Sequence, residues 1–284
     1  HGAGLRNGKP SPAGDFTIEA EGEKIIADIL PAGVYSHTLT TKQNGVLSSP
    51  RIRLEDKHLY LRVRGGGGAR ARYVVQHYPR GGTVYPIANL NDGKEKWVHW
   101  DMTYWQGDDV YIEVSTAADQ PVELNMGAER SWFGVTEAIL LSEEQQQASL
   151  EPRDEMAEFV APLFDIAEVP TDAESLQADY ADALRTCIIA WRDGEMTDEQ
   201  TRYLNMYVGE GLLPNTREEL PDVATLLEEY RTMEAEVPLP TRAPGVIEAD
   251  VIDQPLMVRG NHKKQADPTP RRFLEVIDDE PYTS

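Results

Sequence analysis

Nine short strand-like segments, separated by glycine, proline, asparagine and aspartate, occupy the sequence from Asp15 to Leu141. The segment "DVYIEVST" shows their alternation, because Val110, Ile112 and Val114 would share one face of a strand. No long helical period interrupts this stretch. Short alternating strands at this spacing predict two layered antiparallel sheets, as in a β-sandwich or jelly roll.

Beyond the last predicted strand, apolar residues recur every three or four positions, which is the period of an amphipathic helix. The clearest helix is predicted in "DAESLQADYADALRTCIIAWRDG", and a shorter one in "RDEMAEFVAPLFD". Two more helices are predicted to begin with capping boxes, at Thr197 with Gln200 and at Thr216 with Glu219. We expect the three longer helices to form a small antiparallel bundle, with their Tyr, Met and Trp side chains and Cys187 in its core.

These patterns divide the chain into four parts. We predict a linker over residues 1–14, a β-sandwich over 15–142, a helical connector over 152–236 and an extended tail over 237–284 that begins a further domain. A length of 284 residues exceeds the usual size of one domain, which agrees with two folded units. The tail is rich in proline, and its isolated apolar pieces suit docking on another surface.

The chain is strongly acidic, with a formal net charge of −22, and residues 141–284 carry −20 of that charge. Because phosphate binding requires a positive field, we exclude nucleic acid as the main partner. No apolar run approaches the ~20 residues of a membrane helix, so we expect no membrane insertion. Cys187 is the only cysteine, which excludes an intramolecular disulfide within this sequence.

Four arginines flank the glycine-rich connection between two predicted strands in "LYLRVRGGGGARARYVV". If these strands form a hairpin, Arg64 faces Arg70 and Arg62 faces Arg72, and like charges opposite each other are destabilising. Acidic side chains, an anionic ligand or solvent and salt would then have to neutralise the arginines. The alternative is that a jelly roll sends consecutive strands to opposite sheets, which would separate the four side chains.

Aromatic residues form a second group of candidates. Trp97, Trp100, Tyr104 and Trp105 lie in "NLNDGKEKWVHWDMTYWQGDD", and Tyr78 lies upstream of it. Sugars bind through their C–H faces to exposed aromatic rings, so a platform of two such rings would suit a carbohydrate. Aromatic rings also fill sandwich cores, and that alternative stays open for each tryptophan.

Little in the sequence indicates catalysis. None of the six histidines occurs in an HxH or HExxH pattern. Asp101 with Asp108 or Glu113 is a candidate glycosidase pair that only geometry could support. The acidic loops "NDGKE" and "GDD" are candidates for a structural calcium ion. We therefore expect no enzyme activity and no other cofactor in this segment.

Several stretches are long enough to be specific, among them "GVYSHTLTTKQNGVLSSPRIRL", "WDMTYWQGDDVYIE" and "PTRAPGVIEADVIDQPLMVRGNHKK". They resemble planctomycete-type multidomain proteins, which combine cytochrome-c-like domains with the PSCyt and PSD domain families of unknown function. The resemblance implies an extracytoplasmic, redox-linked and polysaccharide-related context, and it places the start of the C-terminal domain near Arg242. The haem-binding CxxCH motif of such proteins is absent from this sequence.

The stretches "VLSSPRIRL", "LYLRVRGGGG", "WDMTYWQGDDVYIEV" and "RSWFGV" follow one another along the chain. Their order is similar to the strand motifs of galactose-binding-like and carbohydrate-binding sandwiches. In that family the last motif contains a histidine, whereas this chain has Phe133 before Gly134. The resemblance therefore implies the sandwich fold and not a ligand contact at this point.

From these patterns we predict a non-catalytic carbohydrate-binding-like module of a larger protein. The resemblance alone places that protein outside the cytoplasm, in the periplasm or at the cell surface. Its ligand would be a poly- or oligosaccharide, acidic ones included, with the four arginines at its negative groups and the aromatic residues on its rings. The alternative is a structural module that contacts neighbouring domains and has no ligand of its own.

Overall fold

The computed structural model describes residues 1–5, 9–75, 86–120, 129–143, 172–240, 253–261, 263–272 and 276–277. Within these residues the chain forms thirteen β-strands and three α-helices. The strands are β1 (Asp15–Ile18), β2 (Ile26–Leu30), β3 (Val34–Tyr35), β4 (Val46–Ser48), β5 (Ile52–Arg53), β6 (His58–Gly66), β7 (Ala69–Val75), β8 (Ala88–Leu90), β9 (Lys96–Asp101), β10 (Asp109–Ser115), β11 (Trp132–Leu141), β12 (Gln254–Met257) and β13 (Gln265–Thr269). The helices are α1 (Ala173–Asp193), α2 (Asp198–Gly209) and α3 (Ala224–Glu236).

Two antiparallel sheets share one apolar core, which is the sandwich that the strand pattern predicts. One sheet has the order β4–β10–β7–β8, with β5 also paired to β10, and the other has the order β3–β11–β6–β9. The core contains side chains from both sheets, including Leu61 and Val63 of β6 and Ile112 and Val114 of β10. The alternation read from the sequence therefore identified the buried faces of these strands correctly.

Strands β6 and β7 do not form the hairpin that was one of two predictions for them. β6 pairs with β9 and β11, whereas β7 pairs with β8 and β10 in the other sheet. The alternative prediction, in which consecutive strands enter opposite sheets, is the correct one. The apolar faces of β6 and β7 still meet, but they meet across the core instead of side by side. As a result, Arg62 and Arg64 are separated from Arg70 and Arg72.

Gly67 makes this passage between the sheets possible. Its φ of +63° is in the left-handed region, and a Cβ at this position would overlap the carbonyl oxygen of Arg130. We expect Gly67→Ala to lower the free energy of unfolding by about 2 kcal/mol or more, because backbone strain and the steric clash add. Gly107→Ala is the matched control, since Gly107 has a φ of +81° but no atom within 4 Å of its added Cβ. Urea unfolding measures both losses, and equal losses would show that the contact with Arg130 costs nothing.

The β1–β2 hairpin forms a sheet of its own and packs with α1 and α2. Their shared core contains Ile29 from the hairpin, Cys187 from α1, and Tyr203 and Leu204 from α2. Cys187 is a buried free thiol, as predicted from its place on the apolar face of the helix. Burial raises the pKa of that thiol, so it stays protonated.

The prediction of a three-helix bundle is wrong for α3. This helix bonds to loops of the β half of the chain, where the Tyr230 hydroxyl donates to the carbonyl of Leu39 at 2.9 Å. Leu226 and Met233, which were expected in a bundle core, are exposed. The reason is that α1 and α2 already bury their apolar faces on the β1–β2 hairpin, while the buried side of α3 carries the polar Glu234.

The two ends of the described chain also contact the β half. Ser11 forms a β-bridge with Gly33 inside the predicted linker, and β12 and β13 form a hairpin inside the predicted tail. Lys263, between these two strands, donates to Asp108 at 2.7 Å. Among the described residues no helix is long and apolar enough to cross a membrane. The predicted helix in residues 153–165 lies outside the described residues.

Candidate functional site

A cleft of about 1130 Å³ lies between the outer face of the four-stranded sheet and α2, and we call it the charged cleft. Leu59, Leu61 and Val63 of β6 point into the core, so Arg62 and Arg64 point outward into this cleft. The hairpin β1–β2, strand β11 and the loop before β9 complete its walls. Its lining residues are Asp28, Ile29, Pro31, Arg62, Arg64, Asp92, Gly93, Lys94, Glu95, Trp132, Thr136, Glu137, Asp198, Glu199, Arg202, Asn205 and Met206.

Glu95 is the centre of the hydrogen-bond network in the charged cleft. Its Oε2 accepts from Nε of Arg62 at 2.9 Å and from Nε of Arg202 at 3.0 Å. Its Oε1 accepts from the hydroxyl of Thr136 at 3.2 Å. Because Arg62 lies on the sheet and Arg202 on α2, this single carboxylate joins the two sides of the cleft. Hydrogen bonds with charged partners are stronger than neutral ones, so we expect Glu95 to be firmly placed.

The protonation state of Glu95 follows from its partners. Burial raises the pKa of this carboxyl, but the charges of Arg202 and Arg62 and the hydrogen bonds from Arg202 and Thr136 lower it by more. The net result is a pKa below the ordinary value. Glu95 therefore stays an anion at neutral pH, and it is an acceptor of hydrogen bonds and not an acid.

A β-bulge in β11 brings Thr136 to this network. Strand β11 pairs regularly with β6 except between Val135 and Glu137, where the register shifts by one residue. The extra residue is Thr136, and its hydroxyl reaches Glu95. Bulges commonly re-aim a side chain next to a functional site.

Arg64 and Trp132 form the second contact group of the cleft. Nη2 of Arg64 lies 2.8 Å from Oδ2 of Asp28, and the guanidinium lies 5.3 Å from the indole centroid of Trp132. The ring of His37 also lies close to this indole, at 4.0 Å between centroids. Trp132 thus sits in a dense arrangement of planar groups, with an edge on the cleft.

Helix α2 is held in place by bonds to the β1–β2 hairpin and the residues that follow it. Asp198 Oδ1 accepts from the backbone N–H of Ala32 at 2.6 Å, and Asn205 Oδ1 accepts from that of Ile29 at 2.7 Å. The helix starts with the predicted capping box at Thr197. These bonds fix which face of α2 points into the cleft, and Arg202 is on that face.

The charges of the cleft nearly cancel. Four basic and six acidic side chains line it, which leaves a formal charge of −2. Most of the central ones are already paired, as in Arg62 with Glu95 and Arg64 with Asp28. The cleft therefore offers many fixed hydrogen-bonding groups but no excess of positive charge.

Arg70 and Arg72 do not belong to this cleft, so the expected four-arginine site is wrong. Both lie on β7 in the five-stranded sheet. Arg72 is opposite Glu113 of β10 and donates to its Oε1 at 2.7 Å through Nε. Nε of Arg70 is buried with no hydrogen-bond partner in the part of the chain that the structure describes. Opposite-charge pairing across neighbouring strands replaces the like-charge contact that the hairpin register implied.

The aromatic candidates also lie in different places, some in the sandwich core and others near the surface. Trp100 and Trp105 belong to the sandwich core, and Trp105 donates through Nε1 to the hydroxyl of Tyr73 at 3.2 Å. They cannot stack on a ligand, so the core alternative applies to both. Trp97 is partly buried beside the cleft, with the guanidinium of Arg62 at 5.5 Å from its ring.

Among the described members of the aromatic group Tyr104 is the exposed one, but its ring is 5.8 Å from Nζ of Lys263 and edge-on to Trp105. It lies apart from the cleft residues. Tyr78 falls outside the described residues. The predicted platform of two stacked, open rings is therefore not formed by the candidates that the structure describes.

Of the carboxylates named as a glycosidase pair, Asp101 and Glu113 do not converge. Asp101 is on the outer side of β9 and Glu113 on the outer side of β10, so these two residues face away from each other on opposite sheets. Asp108 is buried and bonded to Lys263. Among the described residues, no group of three or more His, Cys, Asp or Glu side chains is placed to hold a metal ion. In the loop proposed for calcium, Asp92 accepts from the backbone of Lys94.

Of the predicted ligand-binding residues, Arg62 and Arg64 line the charged cleft. Arg202 and Thr136 were not predicted, and Glu95 was noted only as part of the candidate calcium loop "NDGKE". The capping box of α2 was a usable signal for the helix that carries Arg202. Nothing local to the sequence indicates that Glu95 lies between two arginines 33 and 107 positions away.

Comparisons with known proteins find no matching family model and no matching curated protein. The resemblance to the planctomycete families therefore stays a prediction. Part of the chain is similar to the solved structure of the carbohydrate-binding module TmCBM61 in complex with β-1,4-galactotriose. The identity is 13%, over 36% of this chain and 64% of that one, with a TM-score of 0.24.

Part of it is also similar to the glycoside hydrolase domain of Endo-D from Streptococcus pneumoniae. There the identity is 12%, over 46% of this chain and 21% of that one, with a TM-score of 0.27. The matched part thus spans less than two thirds of either structure. At these TM-scores neither likeness supports an argument about function.

Proposed function

We propose that the chain is a non-catalytic carbohydrate-binding module and that the charged cleft holds the glycan. The supporting observation is the network in which Glu95 joins Arg62 of the sheet to Arg202 of α2 beside Trp132. Fixed guanidinium and carboxylate groups present forked donors and acceptors, which suit the vicinal hydroxyl groups of a sugar. The size of the cleft agrees with a ligand of several rings, because pockets for small ligands span about 300–1,000 Å³.

We expect the ligand to be a neutral poly- or oligosaccharide. The cleft has a formal charge of −2 and the whole chain one of −22, so a uronic or sulfated glycan would be repelled. This expectation narrows the ligand class predicted from the sequence, in which four clustered arginines favoured negative groups. A jelly-roll sandwich of the galactose-binding-like type, within a larger extracytoplasmic protein, remains part of the proposal.

Affinity gels with the full chain test the proposal. We expect retardation on at least one neutral polysaccharide among galactan, glucan, mannan and xylan, and none on alginate or dextran sulfate. Arg202→Gln removes a cleft donor and should weaken binding about tenfold or more, because a hydrogen bond to a charged group is worth about 1.5–3 kcal/mol. Arg185→Gln on the exposed face of α1 is the matched control and should bind like the wild type.

The same gels can overturn the proposal. Migration that is unchanged on every polysaccharide would reject it. Retardation that Arg202→Gln and Arg185→Gln reduce equally would place the binding site elsewhere. Circular dichroism and urea unfolding of the two variants check that any loss of binding is not a loss of folding.

A specific observation also favours a second function, that of a structural module. Helix α3 is fixed to the β half by Glu234, which accepts from Arg130 at 2.7 Å and from Thr40 at 2.6 Å. Such contacts join two halves of a chain and need no ligand. If the polysaccharide gels are negative, we propose that the module holds neighbouring domains at a fixed spacing.

A further inference from the structure

Two histidines meet on the outer face of the four-stranded sheet, outside the charged cleft. Leu59 and Trp100 belong to the sandwich core, so the neighbouring side chains of His58 on β6 and His99 on β9 point away from it. In the antiparallel pairing of β6 with β9 the two histidines are diagonal neighbours. Ring side chains in diagonal positions are within reach of each other, so strand register alone brings the two imidazoles together.

The distance between the imidazoles suits a shared metal ion. Nδ1 of His58 lies 3.0 Å from Nε2 of His99, and the ring centroids are 5.2 Å apart. Two nitrogens bound to one ion at about 2.0–2.1 Å lie roughly 2.8–3.4 Å from each other, for coordination angles between about 90° and 109°. The observed pair falls within this range, so two nitrogens of the pair can bind one ion after small ring rotations.

The pair is both supported and accessible. The ring of His99 stacks on the ring of Tyr60, with 4.4 Å between the centroids and 8° between the planes. Tyr60 is buried and holds one face of the imidazole, whereas His99 itself is exposed. An ion from solvent can therefore reach ligand atoms that the fold already holds in position, which lowers the cost of binding.

A carboxylate stands beside the two histidines. Asp101 is directly opposite His58 in the strand register, and it is exposed on the same face of the sheet. Its Oδ1 accepts from the backbone N–H of Thr103 at 2.9 Å. Hydrogen bonds from Thr103 lower the pKa of Asp101, and the charges of His58 and His99 lower it further, although burial opposes them. Asp101 is thus an anion at neutral pH, and carboxylates commonly accompany histidine ligands in metal sites.

We propose that His58 and His99 bind one divalent transition-metal ion of the kind represented by Zn²⁺. Imidazole suits such ions, whereas Ca²⁺ and Mg²⁺ prefer oxygen ligands. Each ring binds in its neutral form and gives one lone pair to the ion. The proton that lies between the two nitrogens in the hydrogen-bonded pair moves through solvent to the far nitrogen of its ring. Water fills the remaining coordination positions, and Asp101 balances the charge.

This proposal does not depend on the charged cleft being a glycan site, because none of its three residues lines that cleft. Nuclear magnetic resonance of the full chain with ¹⁵N-labelled histidine tests it, with the ring signals assigned through the backbone. The probe is ZnCl₂ in a non-coordinating buffer near neutral pH. We expect the signals of His58 and His99 to change together and to saturate. An equal concentration of CaCl₂ should leave them unchanged, although the chain charge of −22 attracts cations in general.

His99→Gln is the decisive variant, because it removes one ligand and keeps a polar side chain. We expect it to weaken Zn²⁺ binding, measured at the His58 signals, more than about a hundredfold, since even outer partners of metal ligands contribute about 10–100-fold. Asp101→Asn should weaken binding about tenfold for the same reason. His1→Gln is the matched control, because it removes an exposed imidazole elsewhere and should leave binding at this site unchanged.

Three outcomes would overturn the proposal. If millimolar Zn²⁺ leaves the wild-type signals of His58 and His99 unmoved, the two rings only bond to each other. If His99→Gln binds Zn²⁺ at His58 as tightly as His1→Gln does, His99 is not a ligand. If CaCl₂ displaces Zn²⁺ at equal concentration, the acidic surface and not the imidazoles holds the ion. The wild-type titration decides the question even if a variant fails to fold.

Discussion

Replacing Glu234 with alanine is expected to lower the free energy of unfolding by about 3 kcal/mol. The side chain is buried and accepts hydrogen bonds from Arg130 and Thr40, and Nζ of Lys42 lies 3.5 Å from its Oε2. Removing one partner of a buried ion pair leaves the other charges uncompensated, which typically costs about 3–5 kcal/mol. Arg130 is partly exposed and can turn to solvent, so we place the loss at the lower end. Urea unfolding measures it.

Glu229→Ala is the control for this prediction, because Glu229 lies on the same helix and is exposed. We expect a change within about 0.5 kcal/mol for it. A similar loss in both variants would mean that helix propensity, and not the contact with Arg130, explains the effect.

The contribution of Glu234 should depend on pH. Hydrogen bonds from Arg130 and Thr40 and the charges of Arg130 and Lys42 lower its pKa from 4.5 to about 2, although burial opposes this. Because the folded pKa lies below the unfolded one, the stabilisation is complete above pH 4.5 and is lost as the pH falls towards 2. The stability difference between wild type and Glu234→Gln should therefore shrink over that range. A constant difference would contradict the depressed pKa.

Trp100→Ala is expected to cost about 3–5 kcal/mol, the usual penalty for removing a large aromatic side chain from a core. Trp100 is 5% exposed and packs edge-on against Tyr73 at 5.7 Å between ring centroids. Thermal unfolding should show a much lower midpoint, and any loss of glycan binding should follow the loss of folded protein.

Tyr104→Ala is the comparison that distinguishes a core role for Trp100 from a role in the predicted surface platform of aromatic rings. Tyr104 is 66% exposed, and we expect a stability loss of about 1 kcal/mol or less. If Trp100→Ala proved as stable as Tyr104→Ala and lost only binding, the ring would be a ligand contact and its placement in the core would be wrong.

Some features of the chain were predictable because their causes are local. Alternation at every second residue identified the core-facing sides of β6, β7 and β10, since neighbouring side chains of a strand point to opposite faces of the sheet. The capping box at Thr197 correctly marked the start of α2. At Thr216 the predicted bonds with Glu219 also form, but the helix begins only at Ala224. Pro221, which cannot donate a backbone hydrogen bond, opens a short 3₁₀ turn between the two.

The charged cleft could be recognised only from the tertiary structure. The sequence showed that four arginines are close in the chain, but the pairing of β6 with β9 and β11, and of β7 with β10, decided which of them share a surface. The pairing of β6 with β9 brings Glu95 to Arg62, and the docking of α2 on the β1–β2 hairpin brings Arg202 to the same carboxylate. Strand pairing and helix docking are chosen by the burial of whole apolar faces, and that choice depends on residues far apart in the sequence.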